Sequence, residues 1–75
     1  MISNFEFTIS VPQSWDYRPV DLMKLYAKNS TGAKFYYDEG RAILEVNGLQ
    51  YKYGYWNIKK NNDGREIVTV YLVVK

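Results

Sequence analysis

Residues 50–75 of the chain have the sequence QYKYGYWNIKKNNDGREIVTVYLVVK. Two runs rich in tyrosine, valine and isoleucine, which favour β-strands, flank Asn61-Asn62-Asp63-Gly64. Asparagine, aspartate and glycine are the residue types that tight turns favour, because they tolerate positive φ angles. The stretch therefore predicts two long antiparallel strands, Leu49–Lys60 and Arg65–Val74, joined by a four-residue loop.

The residues before this hairpin predict three further strands and one helix. Asn47-Gly48, between Val46 and Leu49, is typical of a two-residue hairpin turn that needs positive φ at both positions. Strict alternation of apolar and polar residues predicts a strand over residues 5–11. Strand-favouring residues extend over Ala33–Asp38 and Arg41–Val46. The element order β-α-β-β-β-β predicts an α+β fold, with one helix packed on a mainly antiparallel five-stranded sheet.

The helix is predicted between the first two strands. Asp16 is the expected N-cap, which would place Tyr17, Arg18 and Pro19 in the first turn. An apolar stripe follows, formed by Val20, Leu22, Met23, Leu25, Tyr26 and Ala27. Residues 29–32 are weak helix formers, and Gly32 is the expected C-cap.

The two hairpin registers predict which side chains share a face of the sheet. The Asn47-Gly48 turn pairs Leu44 with Tyr51, and the four-residue loop pairs Tyr51 with Val74 and Trp56 with Thr69. One face, called here the inner face, is expected to hold the helix; its predicted members are Ala42, Leu44, Val46, Leu49, Tyr51, Tyr53, Tyr55, Val68, Val70, Leu72 and Val74. The opposite, outer face is expected to hold Lys34, Tyr36, Ile43, Lys52, Gly54, Trp56, Ile58, Ile67, Thr69, Tyr71 and Val73.

The outer face is the candidate functional surface, because one helix can cover only one side of the sheet. A contiguous exposed apolar patch with aromatic anchors is typical of an interface. The predicted contact residues are Trp56, Tyr71, Ile58, Ile67, Lys52, Ile43 and Tyr36. We expect a small non-catalytic binding or regulatory protein, such as an inhibitor, that binds a protein partner or forms a homo-oligomer. Its small size and lack of catalytic residues suggest a phage or mobile-element origin.

A second interpretation of the same face is a surface that binds single-stranded nucleic acid. Aromatic side chains can stack on bases while lysine and arginine contact phosphates. The basic residues that would serve are Lys34, Lys52, Lys59, Lys60 and Arg65. A net charge of +2 is too small to favour this alternative by itself.

Composition limits the other classes of function. The 75 residues are enough for a single small domain, residues 1–75, and 47% of them are hydrophobic. The chain has neither cysteine nor histidine, so the usual transition-metal ligands and the usual general base are missing. We therefore expect no enzyme activity, no metal and no cofactor.

No apolar run is long enough to span a bilayer, and Met1-Ile2-Ser3-Asn4 lacks signal-peptide features. We therefore expect a cytoplasmic protein without a membrane partner.

Residues 8–27 resemble the start of the histidine-containing phosphocarrier protein (HPr) family. Thr8-Ile9-Ser10, a loop, and then Asp16-Tyr17-Arg18-Pro19 opening a helix are similar to that family's strand and its His-x-Arg-Pro loop. The resemblance places Asp16 at the phospho-acceptor position and matches Arg18 and Pro19. Because an aspartate stands where the family has its phosphorylated histidine, the resemblance implies a degenerate relative without phosphotransfer.

Overall fold

The computed structural model describes residues 4–75, and it confirms the predicted α+β fold. One helix and five antiparallel strands follow in the predicted order. Their bounds are β1 Phe5–Pro12, α1 Pro19–Asn29, β2 Ala33–Asp38, β3 Arg41–Val46, β4 Leu49–Lys60 and β5 Arg65–Val74.

The five strands form one sheet in the order β1-β5-β4-β3-β2. Two-residue turns join β2 to β3 and β3 to β4. Both residues of Asn47-Gly48 have positive φ, at 52° and 86°, as the type I′ prediction requires. Glu39-Gly40 has the same combination, at 52° and 79°. β1 returns to pair with β5, which places the first and last strands side by side.

The helix begins and ends differently from the prediction. It begins at Pro19 with Arg18 as its N-cap, and the backbone N–H of Arg18 donates to Asp21 Oδ2 at 2.8 Å. Asp16 therefore lies before the helix and is not the cap. At the other end, Ser30 is the C-cap in an extended conformation, so the prediction of a glycine C-cap is wrong. Gly32 has a φ of 84° in the turn that leads into β2.

The core lies between the helix and the inner face. Leu22 and Met23 of α1 are fully buried, and Tyr26 stacks on Phe7 with ring centroids 4.5 Å apart. The buried residues of the sheet that join this cluster are Phe7, Val11, Leu44, Tyr51, Val68, Val70 and Leu72. All of those in β3, β4 and β5 were predicted for the inner face.

A β-bulge at Gly54 changes the register within β4. Tyr53 pairs with Leu72 as predicted, but Tyr55 then pairs with Tyr71, so Gly54 is the extra residue. A Cβ at position 54 would lie 2.9 Å from the carbonyl oxygen of Tyr71, which is too close for any other residue without a backbone shift. The bulge therefore depends on glycine.

The bulge reverses the predicted faces for the second half of β4. Trp56 pairs with Val70 and Ile58 with Val68, and both β5 partners are buried in the core. The prediction that Trp56 and Ile58 lie on the outer face is therefore wrong, as is the prediction that Tyr55 lies on the inner face.

The loop at the tip of the hairpin explains the size of the register change. The N–H of Asn61 donates to the carbonyl of Arg65 at 2.9 Å, so three residues close the turn instead of the predicted four. Gly64 takes the left-handed position with a φ of 80°, as is common in three-residue hairpin loops. The shorter loop moves the β4–β5 pairing by one residue from Lys60 back to Tyr55. The extra residue at Gly54 cancels that shift, so Tyr51, Lys52 and Tyr53 pair with β5 as predicted.

Candidate binding surface

The outer face of the sheet is not covered by any element among residues 4–75. The helix contacts the inner face, and the loop before it reaches the same side, where the Tyr17 ring packs against Trp56 with centroids 5.5 Å apart. By register, the outer-face residues are Glu6, Thr8, Ser10, Pro12, Lys34, Tyr36, Asp38, Arg41, Ile43, Glu45, Gln50, Lys52, Tyr55, Asn57, Lys59, Arg65, Ile67, Thr69, Tyr71 and Val73. Five of the seven predicted contact residues are among them.

The main exposed aromatic feature of this face is a pair of tyrosines. Tyr55 and Tyr71 lie opposite each other on β4 and β5, with ring centroids 4.4 Å apart and planes 15° apart. Tyr71 is half-buried, whereas 61% of the Tyr55 surface is exposed. A stacked, partly fixed pair of rings offers contact area that loses little conformational freedom on binding.

The β2–β3 end of the outer face is less accessible than predicted. Ile43 lies between Tyr36 and Lys52 on the neighbouring strands and is fully buried. The Tyr36 hydroxyl donates to Glu45 at 3.4 Å. Lys75 forms an ion pair with Asp38, and the hydrogen bond to that carboxylate raises the pKa of Lys75. Ile43 therefore belongs to the outer face as predicted but presents no surface to a partner.

The β1–β5 side of the outer face is polar. The hydroxyl groups of Thr8 and Thr69 are 3.1 Å apart on neighbouring strands. The Arg65 guanidinium donates to the side chain of Ser10 at 2.8 Å and to its carbonyl at 3.0 Å. Ile67 is half-buried beside Ser10. The polar side chains thus satisfy one another and leave the tyrosine pair as the apolar centre of this part of the face.

Trp56 and Ile58 instead form the end of the inner face beyond the helix. Trp56 is half-buried and packs against the core, while Ile58 is 39% exposed. The Tyr17 hydroxyl donates to Glu66 Oε1 at 2.6 Å. Burial raises the pKa of Tyr17 to about 12, and the hydrogen bond and negative charge of Glu66 act in the same direction. This contact holds the loop before the helix against the hairpin.

The basic residues of the nucleic-acid hypothesis are divided between the two faces. Lys34, Lys52, Lys59 and Arg65 lie on the outer face, whereas Lys60 pairs with Glu66 on the inner side. Glu6 stands next to Tyr71, and Glu45 stands next to Lys34. The field over the tyrosine pair is therefore mixed in sign rather than continuously positive.

Residues 4–75 contain no group of acidic side chains close enough together to hold a metal ion. Every buried side-chain nitrogen or oxygen in this range has a hydrogen-bond partner. No helix within it has the length and apolar character needed to cross a membrane.

Tyr55 is the surface residue that sequence reasoning assigned to the wrong side. The signal that could have found it was Gly54, since a glycine inside a strand marks a bulge or a close backbone approach.

No known protein family, curated protein sequence or solved structure matches the chain. The geometry of the molecule is therefore the basis for any functional proposal, and the resemblance to the phosphocarrier family stays a prediction.

Proposed function

We propose that the chain is a small non-catalytic binding protein whose outer sheet face contacts a protein partner. The observation that carries the proposal is the stacked Tyr55–Tyr71 pair on a face without a covering element among the described residues. Exposed aromatic residues surrounded by polar groups are typical of interface anchors. Here the surroundings are supplied by Lys52, Asn57, Lys59 and the Thr8–Thr69 pair.

The anchors of this proposal differ from those predicted from the sequence. Tyr55 and Tyr71 are central, Ile67, Lys52 and Tyr36 lie elsewhere on the same face, and Trp56, Ile58 and Ile43 are left out. Regulation or inhibition of the partner, and a cytoplasmic location, remain predictions that accompany this proposal.

The test is a comparison of three forms of the purified chain. Proteins retained from a lysate of the source organism by the wild type should be lost with Tyr55→Ala/Tyr71→Ala. The matched control is Tyr37→Ala, because Tyr37 is 57% exposed but belongs to the helix side of β2. Direct titration of the isolated partner then gives the affinity change, which we expect to exceed tenfold for an anchor pair. Equal retention by the double variant and the wild type would contradict the proposal.

Single-stranded nucleic acid is the second candidate, favoured by one specific observation. The bulge places Tyr55 on the same face as Lys52, from which the predicted register separated it, and Lys59 lies on that face as well. Against it, each tyrosine already has one ring face against the other, which leaves fewer faces for bases. Oligonucleotide titration at two salt concentrations separates the candidates, because binding through phosphates weakens steeply with salt. Absence of binding at low salt would rule this candidate out.

A further inference from the structure

β1 lies at one end of the sheet and has a neighbour on only one side. Its residues, Phe5–Pro12, pair with β5 in a continuous register. The strand order β1-β5-β4-β3-β2 places no other strand beside β1 among residues 4–75. The helix lies nearest to β2, β3 and β4, away from this end of the sheet. The outer side of β1 is therefore an open edge that the helix does not cover.

A hydrogen bond at the end of β1 shows which backbone groups face this edge. The N–H of Gln13 donates to the carbonyl of Gly64 at 3.0 Å, on the β5 side of the strand. In an antiparallel ladder, alternate residues bond to the same neighbour. Counted back from Gln13, the odd-numbered residues of β1 bond to β5. The backbone groups of Glu6, Thr8 and Ser10 therefore point away from the sheet.

The part of this edge that is available for pairing is short. Pro12, at its end, has no N–H to donate, and its carbonyl accepts a hydrogen bond from the loop that follows. The Arg65 guanidinium donates to the carbonyl of Ser10 at 3.0 Å. Among residues 4–75, no hydrogen bond reaches the outward N–H and C=O groups of Glu6 and Thr8. An added extended strand can satisfy such groups.

We propose that this edge of β1 pairs with β1 of a second copy of the chain, antiparallel about a two-fold axis at Phe7. Glu6 then stands opposite the second copy's Thr8, and Thr8 stands opposite the second copy's Glu6. Both residues of each pair have outward backbone groups, so each pair can exchange both of its N–H···O bonds. The two copies form one continuous sheet with both helices on the same side.

The neighbouring registers are less favourable. An axis at Thr8 would need the carbonyl of Ser10, to which the Arg65 guanidinium already donates. An axis at Glu6 would set two carboxylates directly opposite each other, and like charges in that position are destabilising. With the axis at Phe7, each Glu6 carboxylate instead faces a threonine hydroxyl, which can donate to it.

The apolar side of β1 is complementary to itself in this register. Phe5 and Ile9 lie on the inner face and are half-buried in the single chain. Each Phe5 would stand opposite the second copy's Ile9, with the two Phe7 rings between them. The pairing removes apolar surface of all three residues from water, which favours association. The inference concerns an edge and leaves the outer face open, so it does not rest on the proposed function.

The edge at the other end of the sheet, β2, is less suited to self-pairing. Asn47 N donates to Gly32 O at 3.0 Å, so alternation turns the backbone groups of Phe35 and Tyr37 outward. The Lys24 ammonium lies 5.6 and 6.0 Å from the centroids of these two rings. A two-fold axis there would bring the Lys24 side chains of both copies together, and their like charges would repel.

The experiment measures the mass of the purified chain by sedimentation velocity over a range of concentrations. The wild type should shift from 8.9 kDa towards twice that mass as its concentration rises. Glu6→Pro should stay monomeric, because it removes an outward N–H while sparing the β1–β5 ladder. Glu6→Gln keeps that N–H, so it is the control and should dimerise. A wild type that stays monomeric at every concentration, Glu6→Pro dimerising like the wild type, or loss of the dimer in Glu6→Gln would overturn the proposal.

Amide exchange in the wild type gives a second measurement that does not need a folded proline variant. Exchange at Glu6 and Thr8 should slow as the concentration rises, whereas exchange at Phe7, already bonded to β5, should change little. Dimerisation with slower exchange at the outward amides of β2 instead would contradict pairing through β1. Tyr71→Ala should dimerise like the wild type; loss of the dimer in that variant would assign self-association to the outer face and contradict the proposal.

Discussion

The two halves of β4 belong to one strand but have different surroundings. Residues 51 and 52 lie between β3 and β5, and Tyr51 is buried in the core that the helix covers. Residues 55–60 have β5 on one side only, and their tyrosine, Tyr55, is exposed on the opposite face. The single extra residue, Gly54, accounts for the change of face. A strand can therefore serve the core and the surface with the same residue type when a bulge divides it.

The largest expected effect is that of Trp56→Ala, which tests the second half of the strand. Trp56 packs edge-on against Tyr17 and belongs to the partly buried shell of the core. Its truncation should lower the free energy of unfolding by about 3 kcal/mol, at the lower end of values for buried tryptophan because Trp56 is only half-buried. Urea denaturation gives the value. A change below about 0.5 kcal/mol would mean that Trp56 is a surface residue, as the predicted β4–β5 register without a bulge implies.

Gly54→Ala tests the boundary between the two halves of β4. It should lower the free energy of unfolding by about 2 kcal/mol, within the range of single substitutions that strain the backbone. The added Cβ would lie 2.9 Å from the Tyr71 carbonyl oxygen, so the bulge must distort. The matched control is Asn57→Ala, an exposed position of the same strand, which should be close to neutral. Equal stability of Gly54→Ala and this control, measured by the same denaturation, would show that the bulge does not need glycine.

Tyr17→Phe should have a smaller effect that depends on pH. The variant loses the hydrogen bond to Glu66, which should cost about 1 kcal/mol at neutral pH because the contact is only part-buried. The raised pKa of Tyr17, about 12, means that the folded state holds the phenol proton more tightly than the unfolded state does.

The advantage of the wild type over Tyr17→Phe should therefore be complete below about pH 10, the ordinary tyrosine pKa, and decline as the pH rises through the folded value. Unfolding of both proteins across the alkaline range measures the difference, and comparison of the two cancels the titration of the lysines. A difference that stays constant through pH 12 would argue against the Tyr17–Glu66 contact.

Tyr55→Ala should have the smallest effect on stability, below about 0.5 kcal/mol, because the side chain is largely exposed. The measurement is the thermal unfolding of Tyr55→Ala compared with that of Trp56→Ala. The two residues are neighbours in the sequence, but Trp56 packs on the core and Tyr55 is exposed on the outer face. A loss similar to that of Trp56→Ala would place Tyr55 in the core.

Most of the fold could be predicted from local signals. The positive-φ turn at Asn47-Gly48 fixed the register of β3 and β4, and the alternation in β1 identified its buried side chains. These features are decided by residues close together in the sequence, where turn geometry and side-chain period act directly.

The candidate site was harder to predict because it depends on a register that local signals do not determine. Three residues close the β4–β5 turn, although Asn61-Asn62-Asp63-Gly64 is equally compatible with a four-residue loop. A one-residue difference there moves Trp56 to the other face, and only the compensating bulge keeps Tyr53 opposite Leu72. The helix start was missed for a similar reason: Asp21, inside the first turn, caps the backbone of Arg18, so Asp16 is not needed.

The most direct test of the bulge is a nuclear Overhauser spectrum of the wild-type chain in solution. The account predicts contacts between the ring protons of Tyr55 and Tyr71, whose centroids are 4.4 Å apart, and between those of Trp56 and Tyr17, at 5.5 Å. Contacts between Trp56 and Tyr71, with none between Tyr55 and Tyr71, would show that β4 continues without a bulge and that the two faces are exchanged.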